Sequence, residues 1–376
     1  MPKRGKNLTD LRASNQGAVL QYILTHGATS KQKLAAELQL TPMSISYIAA
    51  ELQEKGYLRE CEAEVTNAPG RPAAKLALVP ERLLAVSVSV SRRSVRVSCV
   101  DMAGHVQRTH RTPHTADTTA ASLTQRIIRE IEAIAADNAV LGIGISCVGM
   151  VDIRSGTVVS TTDFYGIEDW PVVSLLQQHF GIQTVFIAED MKAAALAESY
   201  YGAGKAYTDF VYVGVTHGIG AAVIAGGKLL EGSRGFSGEL GHTTLYPNGA
   251  RCACGNVGCA ELYLSVPTVL AAAECDSWEA FAAVPSPAKD QFLTDLATVL
   301  TNVVNVFDPE AVGLGHEGAL LTAEDYAALQ AAVNARVMTR HFKQVAVLPS
   351  SLAHDITAQS GAAVVFSRCF SGEFKL

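Results

Sequence analysis

The sequence predicts an α/β protein in which a small helical module precedes a two-lobed body. Within the first 56 residues, three short amphipathic segments are separated by turn signals. From residue 83 onward, short apolar strands alternate with helical segments. The chain has 376 residues, of which 48% are hydrophobic and 18% charged, enough apolar material for two or three domains. Alternating strands and helices favour an α/β body with a cleft between its lobes.

The first helix is predicted from the apolar spacing over residues 11–26, which Gly27 can stop. The second helix is predicted to begin at a capping box in which Thr29 caps and Gln32 reaches back. Thr41 and Pro42 start the third helix as N-cap and first helical residue. This third helix carries an apolar stripe at i, i+3, i+4 and i+7, formed by Ile45, Ile48, Ala49 and Leu52.

Two short helices joined by a tight turn have the layout of a helix-turn-helix, whose second helix enters the major groove of double-stranded operator DNA. Strand-like runs over residues 57–79 predict a wing, and Arg71 would reach a minor groove from it. The alternative is a small protein-interaction domain. The predicted DNA-contacting residues are Thr41, Met43, Ser44, Ser46, Tyr47 and Arg71.

The charge distribution supports a polyanion partner at the N-terminal end. Net charge is −6 overall, yet residues 1–75 hold ten Lys or Arg against seven Asp or Glu. A basic module on an acidic body suits nucleic acid, although a solvated basic surface would look the same. The sequence shows no apolar run long enough for membrane insertion and no apolar core of a signal peptide, so we expect a cytoplasmic protein.

A cysteine-rich loop stands out in the second half of the chain. His242, Cys252, Cys254 and Cys259 supply the imidazole and thiolates that a closed, structural Zn²⁺ site uses. A redox cluster is the alternative. Two carboxylates, Glu239 and Glu261, flank these ligands and suit a polyhydroxylated ligand. The other cysteines are expected to be lone buried thiols: Cys61, Cys99, Cys147, Cys275 and Cys369.

Residues 214–242, which begin Gly-Val-Thr-His-Gly-Ile-Gly and end Gly-Glu-Leu-Gly-His, continue into Cys-Ala-Cys-Gly-Asn-Val-Gly-Cys-Ala-Glu at 252–261. This run resembles the signature of the ROK family of repressors, open reading frames and sugar kinases. With the winged helix ahead of it, the chain is similar to the repressor branch typified by the Mlc, NagC and xylose regulators.

The resemblance implies an actin/hexokinase-like (ribonuclease H-like) body with an inter-lobe cleft. The expected domains are 1–80 for the winged helix with its linker, 81–187 for the first lobe, completed by 361–376, and 188–360 for the second lobe with the zinc site and an oligomerisation surface.

The resemblance also implies a sugar site. In the sugar kinases of the family an Asn-Asp pair holds the sugar, and the Asp is the catalytic base. Glu189 and Asp190 stand at the matching positions, with Glu189 departing from Asn. Glu239, His242 and Glu261 match further sugar-contacting positions. A purely structural alternative for Asp190 is a helix N-cap.

The kinase motifs are altered. The first hairpin of ATP-dependent members carries an acid and glycines beside the phosphates, but residues 89–93 here read Ser-Val-Ser-Arg-Arg. His217 precedes the second glycine-rich turn, and His316 stands in the late glycine pair. We therefore expect no enzymatic activity.

The sequence thus predicts a homodimeric or homotetrameric transcriptional regulator, most simply a repressor, of carbohydrate genes with a sugar or sugar-phosphate effector. The alternatives are an active ATP-dependent sugar kinase and a regulator controlled by a protein partner.

Overall fold

The computed structural model describes residues 7–61, 74–135, 139–161, 164–352 and 356–376. Arg71, predicted to contact DNA, lies outside these residues. The chain divides into two units by its internal contacts. Unit 1 contains residues 1–188 and 357–376, and unit 2 contains residues 189–356.

Within residues 7–61 and 74–78, unit 1 forms three helices and a small sheet of order β1-β3-β2. Their elements are α1 (Leu8–His26), β1 (Thr29–Ser30), α2 (Lys31–Glu37), α3 (Pro42–Glu54), β2 (Leu58–Cys61) and β3 (Lys75–Leu78). The predicted Thr29 cap is wrong. Helix α2 begins at Lys31, so Ser30 is the N-cap, and its side chain accepts the Lys33 N–H. Thr29 lies one residue too early and pairs with Leu76 in the sheet.

The rest of unit 1 is built on a five-stranded sheet of order β11-β7-β4-β5-β6, with a small antiparallel sheet, β10-β9-β8, beside it. Its apolar core includes Ile127 of α4 and Trp170 of β10. The elements are β4 (Leu84–Val90), β5 (Ser94–Asp101), β6 (Val106–Pro113), α4 (Ala120–Ala135), β7 (Val140–Cys147), β8 (Met150–Asp152), β9 (Thr157–Ser160), β10 (Glu168–Trp170), α5 (Val172–Phe180) and β11 (Val185–Glu189).

Unit 2 holds a second five-stranded sheet, of order β14-β13-β12-β15-β16. Strand β12 pairs antiparallel with β13 and parallel with β15. The elements are α6 (Asp190–Tyr201), β12 (Phe210–Val215), β13 (Ile219–Ala225), β14 (Lys228–Leu229), α7 (Glu261–Leu264), α8 (Val266–Ala273), α9 (Trp278–Ala283), α10 (Pro287–Phe307), β15 (Ala311–His316), α11 (Ala323–Arg336) and β16 (Ala346–Pro349).

The last helix, α12 (Ile356–Ser371), returns the chain to unit 1. Gly361 of α12 lies so close to Gly144 of β7 that a Cβ on either would collide with the carbonyl oxygen of the other. Near its other end, α12 touches α1 at Gly17. The helix therefore contacts both the sheet of unit 1 and the first helix of the winged-helix module. Among the described residues, no helix has the length and apolarity needed to cross a membrane.

Candidate metal centre and ligand site

The predicted metal ligands are brought together in unit 2. One ligand atom from each of His242, Cys252, Cys254 and Cys259 lies within 4.8 Å of the others. Cys252 Sγ is 3.8 Å from His242 Nδ1, and Cys254 Sγ is 3.7 Å from Cys259 Sγ. Four atoms held around a tetrahedral Zn²⁺ at about 2.3 Å would lie about 3.8 Å apart. The donor set and its spacing therefore fit zinc.

The loop that carries these ligands is held by its own backbone. Thr244 bridges to Cys259 and Arg251 to Val257 in antiparallel fashion, and Cys252 N donates to Asn256 O at 2.8 Å. Gly258 has a φ of +68° and leaves no room for a Cβ beside the Tyr246 carbonyl oxygen. A glycine is therefore required at this turn between ligands.

The remaining cysteines stand apart from this centre. Cys99, Cys147 and Cys369 are buried, whereas Cys61 and Cys275 are only partly buried. Burial raises the pKa of the Cys369 thiol to about 12 and also raises that of Cys99. Both thiols are therefore protonated near neutral pH, as expected for packing residues.

Glu189 and Asp190 lie where β11 passes into α6. Glu189 occupies the N-cap position without capping through its side chain, and Asp190 is the first helical residue. Asp190 Oδ1 accepts the N–H of Met191 at 2.9 Å. Desolvation, and next the nearby Glu189 carboxylate, raise the pKa of Asp190 well above its usual range. Two carboxylates therefore share one poorly solvated corner of the site.

Lys192 is a residue of this site that the sequence analysis missed. Its side chain is 2% exposed, and Nζ lies 3.0 Å from Glu189 Oε2. The segment Met191-Lys-Ala-Ala-Ala-Leu reads as an ordinary helix, in which a lysine usually faces solvent. The available signal was the spacing of three residues between Glu189 and Lys192, which puts both on one helix face.

Glu239 and Glu261 complete the carboxylate group. Glu239 precedes the short 3₁₀ turn that leads to His242, and Glu261 is the first residue of α7. Glu261 Oε2 occupies the space where Gly218 and Gly241 lack a side chain. Desolvation, and next Glu189, raise the pKa of Glu239, while Lys192 and His242 lower it and Glu261 raises it. The five predicted ligand-contacting residues therefore lie within one electrostatic environment.

The predicted DNA-contacting face of α3 is available to solvent. Thr41 and Ser46 are exposed and Ser44 is partly exposed, while Met43 and Tyr47 are 83% and 64% exposed. Thr41 caps the helix as predicted, since its side chain accepts the Ser44 N–H. The sequence analysis did not foresee Arg12 of α1, which lies over the Tyr47 ring at 5.2 Å and pairs with Glu51 at 2.6 Å.

Two turns that match nucleotide-binding loops of the kinases differ in how their polar groups are satisfied. Between β4 and β5, Ser91 Oγ accepts the backbone N–H groups of Arg93 and Ser94 at 3.4 and 3.2 Å. At the end of β15, His316 has a φ of +55°, and burial lowers its pKa to about 4. Neither His316 Nε2 nor the Tyr212 hydroxyl has a hydrogen-bond partner among the described residues.

The chain is similar to several transcriptional regulators. The repressor Mlc of Escherichia coli K12 is 30% identical over 273 residues, covering 71% of this chain and 67% of its own length. The dual regulator NagC of the same strain is 29% identical over 259 residues, covering 68% of this chain but only 63% of NagC. The xylose repressor of Bacillus subtilis is 26% identical, with 95% of this chain and 96% of the repressor covered.

Solved structures show the same fold. A ROK family transcriptional regulator described as a homologue of E. coli Mlc superposes with a TM-score of 0.79 and 24% identity, covering 96% of this chain and 98% of its own. A ROK hexokinase from Thermus thermophilus gives a TM-score of 0.64 and 25% identity, covering 76% of this chain and 97% of its own. The sequence profile of the ROK family matches residues 85–368. The chain therefore belongs to the ROK family.

Proposed function

We propose that this chain is a cytoplasmic transcriptional regulator, most simply a repressor, of carbohydrate genes. It binds double-stranded operator DNA through the exposed face of α3, with Arg71 as a further contact from the wing. A sugar or sugar phosphate held by Glu189, Asp190, Glu239, His242 and Glu261 changes its DNA affinity. The effector would do so by favouring one of two arrangements of the chain that present the winged helices differently to the half-sites.

One observation carries the proposal: an exposed recognition-helix face stands on the same chain as a ROK body with a carboxylate-rich site. The similarity to NagC, Mlc and the xylose repressors supports it. Met43 and Tyr47 have large side chains that are exposed to water. Exposed apolar surface of this kind often marks a site where a partner binds. Base edges and thymine methyl groups in a major groove are partners of suitable shape.

The test is selection of bound duplexes from a random library by the purified chain, followed by anisotropy titrations with and without sugars. Tyr47→Ala should weaken operator binding by roughly tenfold or more, since a base contact is worth about 1–3 kcal/mol. Glu274→Gln, an exposed site in unit 2, is the matched control and should bind as the wild type does. If no duplex sequence is enriched, with or without any of the sugars, the proposal is contradicted.

Zinc is the proposed structural metal of this regulator. His242, Cys252, Cys254 and Cys259 would hold it, and the ion would supply a fixed cross-link with no role in chemistry. The ligands hold the loop between Glu239 and Glu261, so the metal would keep both carboxylates in place.

A homodimer or homotetramer is the proposed assembly. Val306, Phe307, Met338 and Phe342 are exposed, and Met338 N donates to Asn305 Oδ1 at 2.9 Å, so these side chains belong to neighbouring segments. An exposed apolar patch of this kind marks a protein-contact surface. Control by a protein partner on the same patch is the alternative, and light scattering with and without lysate proteins separates the two.

The second candidate function is an active sugar kinase, favoured by the retained Asp190 with its raised pKa, which suits a general base. Against it, backbone N–H groups of the β4–β5 turn donate hydrogen bonds to Ser91 Oγ, so they are not free to bind a phosphate. A coupled ADP-release assay with hexoses decides between the two. Turnover that Asp190→Asn abolishes would establish the kinase.

A further inference from the structure

Arg12 of α1 lies against the exposed face of α3. Its Cζ atom is 5.2 Å from the centroid of the Tyr47 ring, and Tyr47 is 64% exposed. Its Nε and Nη2 donate to Glu51 Oε2 at 3.1 and 2.6 Å. The guanidinium is therefore held in one orientation beside a residue that was predicted to contact DNA.

The part of α3 that was predicted to contact DNA contains no charged side chain. Residues 41–50 include no Lys, Arg, Asp or Glu. Roughly half to two-thirds of the hydrogen bonds between proteins and DNA nevertheless go to phosphates and sugars, and these contacts fix the register of the protein on the duplex. Contacts with phosphates also supply much of the affinity. The positive charge that such contacts need must therefore come from a neighbouring element.

Arg12 has both the charge and the hydrogen-bond donors for a phosphate contact. A guanidinium carries five N–H donors, and the ion pair with Glu51 uses two of them. The Arg12 side chain is 48% exposed, so a phosphate can approach it from solvent. The ring contact and the ion pair order the guanidinium before a duplex binds, which lowers the entropy cost of binding.

Glu51 sets this orientation without cancelling the positive charge of the group. Its Oε2 accepts from Arg12, and its Oε1 lies 3.2 Å from Lys55 Nζ. Desolvation acts to raise the pKa of Glu51, but hydrogen bonds and charges from Arg12 and Lys55 together lower it below its usual value. The carboxylate is therefore ionised at neutral pH. Two cations share one anion, so the three side chains carry a net positive charge.

We propose, resting on the proposed DNA-binding function, that Arg12 contacts a backbone phosphate of the operator next to the place where Tyr47 meets the bases. Glu51 is a positioning residue, which acts through Arg12. Since every duplex has phosphates, the Arg12 contact strengthens binding to all sequences and does not select among them. Selection among sequences is left to the uncharged side chains of α3.

The test is fluorescence anisotropy of the full chain with two labelled duplexes over a series of salt concentrations. One duplex is a sequence selected from the random library, and the other has an arbitrary sequence. Arg12→Gln should weaken binding to both by roughly tenfold, as expected for one hydrogen bond to a charged group. The slope of log K against log salt concentration should become shallower by about 0.9, because one phosphate contact no longer releases its counterion.

Three further variants separate a phosphate contact from a structural effect. Arg12→Lys keeps the positive charge and should retain the wild-type salt slope. Tyr47→Ala should also retain that slope, but it should lose more affinity for the selected duplex than for the arbitrary one. Arg154→Gln removes an exposed arginine in the turn after β8 and is the matched control. It should bind both duplexes as the wild type does.

Glu51→Gln provides a background in which Arg12 has no carboxylate partner. If the loss in Arg12→Gln came only from leaving Glu51 unpaired, the same change would have no effect in this background. We expect it to make the salt slope shallower there too, with a smaller loss of affinity because the guanidinium is no longer oriented. An equal loss of affinity in the two backgrounds would remove the assigned role of Glu51.

The outcomes separate this inference from the function on which it rests. A wild-type salt slope for Arg12→Gln in either background would overturn the phosphate contact and leave the DNA-binding function intact. A wild-type chain that enriches no duplex would contradict the function and the phosphate contact together.

Discussion

Gly17 is the point where α1 of the winged helix meets α12, and replacing it with alanine tests that contact. A Cβ at this position would lie 2.5 Å from the carbonyl oxygens of Cys369 and Phe370 and 2.7 Å from Phe370 Cα. All three atoms belong to the backbone of α12, so no side chain can turn away to make room. The two helices would have to separate.

The magnitude follows from two opposing terms. In a helix interior, Gly→Ala normally stabilises by about 1 kcal/mol. Overpacking of a close contact costs typically about 1–3 kcal/mol, and the backbone nature of this contact favours the upper part of that range. We therefore expect Gly17→Ala to lower the free energy of unfolding by about 1–2 kcal/mol.

The assay is urea unfolding followed by far-UV circular dichroism, together with operator titration. Asn15→Ala, a partly exposed position on the same helix, is the control and should not lower stability appreciably. A Gly17→Ala protein more stable than the wild type, with unchanged operator affinity, would refute the packing of α1 on α12.

Three further predictions concern unit 2. Cys259→Ser should contain less zinc by elemental analysis and have a lower melting temperature, because the ligands and the ion fold as one unit. The control Cys275→Ser should keep the metal. Full zinc content in Cys259→Ser would contradict the proposed site. Burial lowers the pKa of His316 to about 4, so between pH 6.5 and 4 the unfolded chain binds a proton that the folded chain does not. Wild-type stability relative to His316→Asn should therefore fall by up to about 3 kcal/mol as pH drops through that window, and a constant difference in urea titrations would argue against it. Phe342→Glu should reduce the molar mass measured by light scattering, and an unchanged mass would remove this patch from the assembly surface.

The α/β class was predictable from the sequence because it depends on local patterns. The apolar stripe predicted for the third helix is its buried face, and Thr41 caps α3 as its position before Pro42 indicated. The metal ligands of the cysteine loop were equally predictable, since three of the four lie within eight residues. In each case the decisive neighbours are close in sequence.

The features that escaped prediction depend on distant or buried partners. Thr29 lies one residue before the cap of α2, and its strand partner, Leu76 of β3, is 47 residues later in the sequence. Arg12 of α1 contacts the ring of Tyr47 of α3, which is 35 residues later in the sequence. Lys192 has its partner only three residues away, yet the sequence does not show that packing removes its side chain from water. Periodicity reports which face is apolar, not which polar group is enclosed.

The contact between α12 and α1 constrains the order of events during synthesis. Helix α1 ends at residue 26, but the backbone that covers Gly17 belongs to residues 369 and 370. At about 5–20 residues per second, the ribosome needs roughly 20–70 s to make the intervening chain. Until then the face of α1 at Gly17 has no α12 to pack against, and this side of the DNA-binding module remains exposed to solvent. A nascent chain would therefore acquire its final winged-helix packing only after both lobes have been translated.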